Sequence, residues 1–538
     1  MRKSDFLHEV RQRIAQKPPD LLKRLFLDFS RCIPPPRYEE ALSLLGKNDV
    51  IVIPDESIDL LPAIRQLCEC IDDGTYELSW EHDEGYYGGY YSEEEILIDE
   101  NGLGEQVQVL LETCMHYVDE KRYTEAFQAF DELFALEIPM EHYDDVDIKM
   151  LFEHDVIPLD RMEVLRYYAY AAMMALKGEV RVEKMYDILR LASYGVTLQE
   201  IIQIGADEIP EQEECMRHWI LFLMEQKLPP YKMHRLERTL IDAITFSGGI
   251  QALHAFVLEH GAEYQTAYIE LIEAYTKEKQ YEQAIAVALD GLSKIEGINS
   301  RRTQVADLLL HIGNLTDDMK LRREAIWEGF KSSVDLSHFM NLYQLQDEGL
   351  TAQAIHYVDN NRQKDSSDYI YIRFLNGDYD LVWCICKEDK ESLGWSTSEK
   401  GRGLPLFVAL LSNEKAMTPC AKKLIEYTFP HDTIFENFIQ TLALSMRDLS
   451  ETEFQNYYAW CISEINGRVD AIVTNQHRGS YCKASALIVS MAEALRAKGD
   501  GIGARRFIME YKEKYPRHSA FRACLREDTQ LAAFGKLF

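Results

Sequence analysis

The chain has 538 residues, too many for one hydrophobic core, so several domains or one extended array of repeats is expected. Apolar residues make up 46 %, enough for a core throughout, and 90 acidic against 58 basic side chains leave a formal net charge of -32. A surface of that sign disfavours nucleic acid and anionic lipid and favours basic partners, with most of the charge expected on solvated helix faces.

The start, Met1-Arg-Lys-Ser-Asp, leads into a charged amphipathic stretch without an apolar h-region, so no signal peptide is expected. No apolar run approaches the ~20 residues that cross a bilayer. The eleven cysteines are scattered and odd in number, which argues against a disulfide framework. A reduced, cytoplasmic protein without membrane contact is the expectation.

Residues 1–71 read as a small N-terminal helical region. Leu21, Leu22, Leu25 and Leu27 crowd one helix that stops before Pro34-Pro35-Pro36, and Val50–Ile53 suits a short strand or a buried connector. Helical period returns with Ile58, Leu61, Ile64, Leu67, Cys68 and Ile71. Residues 72–100 then read as an acidic, Tyr- and Gly-rich loop, in a window (51–100) with fifteen acidic residues and one basic one, Arg65. Three readings stand for this loop: a spacer, a recognition element for a basic groove through Tyr86 and Tyr87, or a weak Ca²⁺ site. The spaced D-x-D-x-D-G pattern of an EF-hand is missing.

From residue 101 helical periodicity runs almost to the end, punctuated by Gly and Pro into helices of roughly 12–20 residues. One pattern occurs twice: Tyr117, Tyr123, Ala126, Phe130, and, 158 residues on, Tyr275, Tyr281, Ala284, Ala288. Six residues from Tyr to Tyr across a polar turn, then three to a small residue, is the spacing of a tetratricopeptide (TPR) hairpin. Asn376-Gly377-Asp378 and Gly499-Asp500 read as degenerate copies of the same turn. The expected fold is all-α, an irregular TPR-like α-solenoid, with TPR-like repeats over 101–345 and a C-terminal helical repeat domain over 346–538.

Little in the sequence carries chemistry. Cys68-Glu-Cys70 and Cys114-Met-His116 have the CxC…CxH order of a zinc finger, but residues two apart on a helix point ~200° from each other, and Cys384-Ile-Cys386 meets the same objection. His142, His154 and the carboxylates beside them read as capping and solvation. GxxxxGK[ST], GxSxG and HExxH are absent from the sequence, so no catalytic residue, cofactor or metal site is expected. The C-terminal stretch from Arg468 to Phe538 differs, with thirteen Lys or Arg against seven Asp or Glu. Within it Arg478, Tyr481, Lys483, Arg505, Arg506 and Arg517 are the candidate partner-binding residues, as a basic patch with interleaved aromatics. The competing reading makes these cations helix caps and an internal match to the acidic half.

Gln476-His-Arg-Gly-Ser-Tyr481, the alanine-rich helix after it and Tyr515-Pro-Arg-His-Ser-Ala-Phe521 resemble the C-terminal helical domain of bacterial SWIM zinc-finger-associated proteins. The resemblance covers residues ~465–526 and, more loosely, the Tyr/Trp-rich loop at 76–91. It implies a helical repeat protein with a scaffolding or regulatory role, and it brings no catalytic residues. The reading that follows is a protein–protein scaffold or adaptor with another protein as partner; the alternative is a nucleic-acid-associated regulator using the basic C-terminal region.

Overall fold

The computed structural model describes residues 59–535 apart from 88–89, 141–144, 194, 206, 227–229, 362–367, 391–397 and 413–416. The expected leucine-rich helix at 21–27 and the strand or connector at 50–53 lie outside the described residues, as does His142. Apart from two small antiparallel pairs, the described chain is helical, and it divides into two compact units, Met1–His260 and Gly261–Phe538. The fold is all-α.

In the first unit, α1 (Leu60–Asp72) buries Leu60, Ile64, Leu67 and Ile71, the stripe that its period of 3.6 places on one face. The segment expected as a loop follows, and it is a β-hairpin: β1 (Leu78–Tyr87) pairs antiparallel with β2 (Tyr90–Asp99). Alternation survives at the base, where Leu78 and Leu97 are buried and Ser79 and Ile96 are exposed. Asp99 then accepts from the backbone N–H of Leu103 and Gly104 at 2.9 and 2.8 Å, which satisfies two orphan donors of the next helix. Helices α2 (Leu103–Asp119) and α3 (Tyr123–Phe134) follow, then the two-residue strands β3 (Glu137–Ile138) and β4 (Val146–Asp147). The unit continues with α4 (Ile148–Glu153), α5 (Arg161–Ala175), α6 (Gly178–Leu191), α7 (Leu198–Ile202), α8 (Gln212–Glu225) and α9 (Pro230–His260). Within α9, Arg235–His260 is long and apolar enough to cross a membrane by length and composition, but non-helical backbone at Gly248 and Gly249 interrupts it.

The second unit opens with α10 (Thr266–Lys277), α11 (Tyr281–Lys294), α12 (Ser300–Leu315), α13 (Met319–Ser333) and α14 (Leu336–Tyr343). Helices α15 (Glu348–Asn361), α16 (Tyr369–Leu375), α17 (Tyr379–Glu388), α18 (Glu399–Leu411), α19 (Pro419–Glu426) and α20 (Phe435–Ser445) come next. The unit ends with α21 (Glu451–Thr474), α22 (Tyr481–Ala497), α23 (Gly501–Lys514) and α24 (Ser519–Leu531). Helix α22 is buried on every side along Ala486 to Ala492, so it forms the centre on which α19, α21, α23 and α24 pack.

The twin tyrosine hairpins close with the same hydrogen bonds. After α2, Lys121 N–H donates to Val118 and Arg122 N–H to Tyr117; after α10, Lys279 N–H donates to Thr276 and Gln280 N–H to Tyr275. This is the Schellman pattern, and it needs a left-handed residue, supplied by Lys121 (φ 64°) and Lys279 (φ 61°). Gly377 and Gly499 take that place in the same pattern after α16 and α22, where Asp378 donates to Arg373 and Asp500 to Leu495. Nine residues after the first acceptor stands a fully buried Ala126, Ala284, Val382 or Ala504, which lets the second helix approach closely. Tyr117 and Tyr275 are themselves buried, as core residues of each hairpin. A second device recurs: a tyrosine hydroxyl donates to an aspartate on a neighbouring helix, Tyr168 to Asp131 and Tyr268 to Asp290 at 2.6 Å, and Tyr457 to Asp380 at 2.7 Å.

Candidate functional site

The basic C-terminal residues separate into two groups. Arg478 lies in a short 3-10 turn before α22, Arg505 and Arg506 on α23, and Arg517 between α23 and α24; all four are exposed, and none makes an ion pair among the described residues. Tyr481 does not belong with them. It is 3 % exposed, its ring set edge-on to Phe521 at 5.9 Å, so it serves the core and offers a partner no surface. Lys483 is half-buried with its ammonium 5.7 Å from the Tyr427 ring centre. Other cations of the stretch act internally: Arg496 donates to the Ala532 carbonyl at the end of α24, and Lys514 pairs with Asp470 at 2.6 Å. Tyr86 and Tyr87 stand on β1, in register with Tyr91 and Tyr90.

The cysteine pairs sit on helices. Cys68 and Cys70 are both on α1; Cys114 is buried in α2, where burial pushes its thiol well above the ordinary range, and His116 pairs with Glu120 at 3.4 Å. Cys384 is exposed on α17 while Cys386 is buried, two residues apart and on different faces. Among the described residues, no group of three or more His, Cys, Asp or Glu could hold a metal ion.

One serine–histidine contact has the residue types of a nucleophile and its base. Ser333 Oγ lies 3.0 Å from His338 Nδ1, but that nitrogen also meets Asp335 at 2.9 Å, and Nε2 meets Asp307 at 3.1 Å. Burial pulls the His338 pKa down, yet hydrogen bonds to Asp307 and Asp335 and the charges of both outweigh it and raise the value to about 9. At neutral pH the ring is a cation that donates from both nitrogens and has no lone pair to take a proton. It works as a strut between α12 and α14.

Among the described residues, a cleft of about 610 Å³ lies between the end of α14, the start of α15, the α16–α17 turn and α20. Its volume falls in the range of about 300–1,000 Å³ typical of ligand pockets. Local structure fixes its walls. The chain turns at Gln346 (φ 52°), Asp347 accepts from Leu350 N–H at 2.9 Å to cap α15, and Arg323 holds Asp347 at 2.6 Å. Gln344 donates to Asn437 at 2.9 Å and so ties the end of α14 to α20. Asn376, in the α16–α17 turn, donates to Asp378 at 2.9 Å, and its amide oxygen meets no donor among the described residues. The Gln346 amide and the Glu348 carboxylate are exposed and take no partner among the described residues, and burial raises the Tyr343 phenol above its ordinary value. Ile355 and Leu444 supply the apolar part, and Leu444 is 75 % exposed. Neutral hydrogen-bonding groups, an aliphatic wall and one carboxylate equip this cleft to hold a ligand.

Sequence reasoning missed the cleft, because its glutamine, asparagine and threonine lining is spread from 343 to 444 and carries no motif. It also missed Glu493, a buried acid at the centre of the second unit. Among the described residues neither of its oxygens has a hydrogen-bonding partner at bonding geometry, although Thr418 and the N–H groups of Cys420 and Ala421 at the start of α19 face it. Desolvation raises its pKa to about 7 against those favourable contacts. A signal existed here: Glu493 is the lone charge in the run Ala484 to Leu495.

A scan against protein-family models and a search of curated proteins return no match to this chain.

Proposed function

We propose that the chain is a non-catalytic protein–protein interaction scaffold, an irregular TPR-like solenoid working in the cytosol. The observation that carries this reading is the recurrence of one hairpin: the same Schellman turn after α2, α10, α16 and α22, with a buried small or β-branched residue nine positions on. Stacked hairpins of this kind leave helix faces free for partners. The free thiols at the described cysteines fit a reducing compartment. The test is affinity capture of the full-length chain from native lysate at moderate salt, with light scattering to read its mass. A reproducible stoichiometric partner is expected; repeated recovery of none, with the chain monomeric, overturns the reading.

A second reading, a nucleic-acid-associated regulator, draws on the exposed arginines Arg478, Arg505, Arg506 and Arg517, which make no ion pair among the described residues. It predicts binding of the full-length chain to DNA or RNA with a steep salt dependence. No binding at low salt removes it.

A further inference from the structure

We infer that the cleft between α14, α15 and α20 is the docking site for an extended polypeptide segment that carries an aliphatic side chain beside a lysine or arginine. The inference rests on the scaffold reading and adds to it a place and a partner chemistry.

Three features of the cleft set the occupant. The first is hydrogen-bonding capacity that the protein leaves unspent. The Gln346 amide and the Asn376 amide oxygen offer both donor and acceptor, and among the described residues neither is used by a protein group. Neutral amides of this kind match the N–H and C=O groups of an extended backbone, which need partners of both types. The second is the apolar wall. Leu444 stands 75 % exposed next to Ile355, and an aliphatic side chain laid between them would cover surface that water now wets. The third is charge. Glu348 is exposed and unpaired among the described residues, no Lys or Arg is among the residues that line the cleft, and of the neighbouring acids Asp347 pairs with Arg323 while Asp378 shares Arg373 with Asp359. Glu348 therefore has its charge available for an incoming cation, and a chain of net charge -32 draws basic segments toward it. An acidic segment would meet an uncompensated carboxylate in the same place, so the cleft discriminates by sign.

The test uses the full-length chain on an immobilised array of random ten-residue peptides, followed by fluorescence anisotropy on the strongest members. Bound peptides are expected to be enriched in Leu, Ile or Val next to Lys or Arg, with affinity on the order of 10 µM for so small a contact. Changing that Lys to Glu in the peptide should weaken binding about tenfold or more. Glu348→Gln should remove the preference for the basic residue, Glu348→Lys should invert it, and Leu444→Asp should abolish binding. Both positions are exposed, so unfolding curves of the variants are expected to overlay the parent. Peptides bound without regard to charge, or bound equally by the Glu348 and Leu444 variants, overturn the assignment. Lysate capture separates the two claims: if Leu444→Asp still recovers the partners of the parent chain, the scaffold stands and the cleft falls. If the parent recovers none, the scaffold itself falls.

Discussion

Lys423 Nζ lies 2.7 Å from Asp528 Oδ1, and this ion pair joins α19 to α24 where Asp528 is only 1 % exposed. Cys420 approaches the same residue from α19, its thiol 3.5 Å from the Asp528 carbonyl oxygen. Lys423→Met would strand a buried carboxylate, and the expected loss is about 3–5 kcal/mol. Replacing both partners, Lys423→Met with Asp528→Leu, should cost much less, because no charge is then left without its counterion. Urea denaturation of both variants checks this; equal losses would mean that packing, and not charge, is what the pair supplies.

Lys279 occupies the left-handed position of the α10–α11 turn at φ 61°, exposed and without an ion pair among the described residues. A residue with a Cβ pays roughly 1–2 kcal/mol for that conformation, and glycine does not. Lys279→Gly is expected to raise stability by about 0.5–1 kcal/mol, the gain reduced by the freer unfolded chain. Lys279→Val should lower it, since a β-branched side chain tolerates positive φ worst. Thermal unfolding of the two variants decides the sign. Lys121 at the equivalent turn is a poorer test because it also pairs with Asp207 at 2.6 Å.

These turns were the legible part of the chain. Tyr117-to-Ala126 and Tyr275-to-Ala284 encode contacts close in sequence, and the backbone hydrogen bonds at Lys121 and Lys279 repeat each other as the spacing implies. Gly377 and Gly499 were legible for the same reason. The hairpin at 78–99 was not, because Gly, Asp and Glu, residue types that strands disfavour, crowd that stretch. Tyr481 looked like a surface aromatic among cations, yet the fold turns it inward onto Phe521. The cleft depends on bringing Tyr343, Asn376 and Leu444 together from distant stretches, and local period carries no information about that.

His338 predicts loss of stability in mild alkali. Its folded pKa of about 9 lies above the unfolded value of about 6.5. The folded state therefore binds the extra proton between those values, and its stabilisation is complete below pH ~6.5 and gone above ~9. The carboxylate side behaves oppositely: Asp335 is desolvated, but hydrogen bonds and the charge of His338 hold its pKa below the usual range, so its contribution fades only in acid. Urea midpoints between pH 6 and 9.5 should fall for the parent chain and fall less for His338→Gln. A parallel decline in both would assign the loss to other groups.

Glu493 acts in a lower window with the same sign. Burial lifts its pKa from about 4.5 to about 7, so the folded state holds a proton that the unfolded chain releases. Stability from this group is fully present below pH ~4.5 and is lost as pH rises through ~7. Glu493→Gln keeps the shape without the ionisation. It should be stabilising by about 1–3 kcal/mol at pH 8 and nearly neutral at pH 4.5, read from denaturation at the two values. A variant equally stable to the parent at both would mean that the α19 N–H groups already solvate the carboxylate.

Gly403 on α18 faces the buried Cys386 of α17, and a Cβ there would come within 2.3 Å of Cys386 Sγ. Both positions are covered and each is fixed in its helix, so neither can swing aside as a surface side chain would. Gly403→Ala is expected to cost about 1–3 kcal/mol through overpacking. Cys386→Ala removes the opposing sulfur and leaves a small void, at a cost of about 1 kcal/mol. In the double variant the new methyl enters the space that the sulfur vacated, so the combined loss should fall short of the sum by about 1 kcal/mol or more. Denaturation of the four chains closes the cycle. Strict additivity would mean that α18 shifts as a body to admit the methyl, and the close approach of the two helices would then be adjustable instead of fixed by glycine.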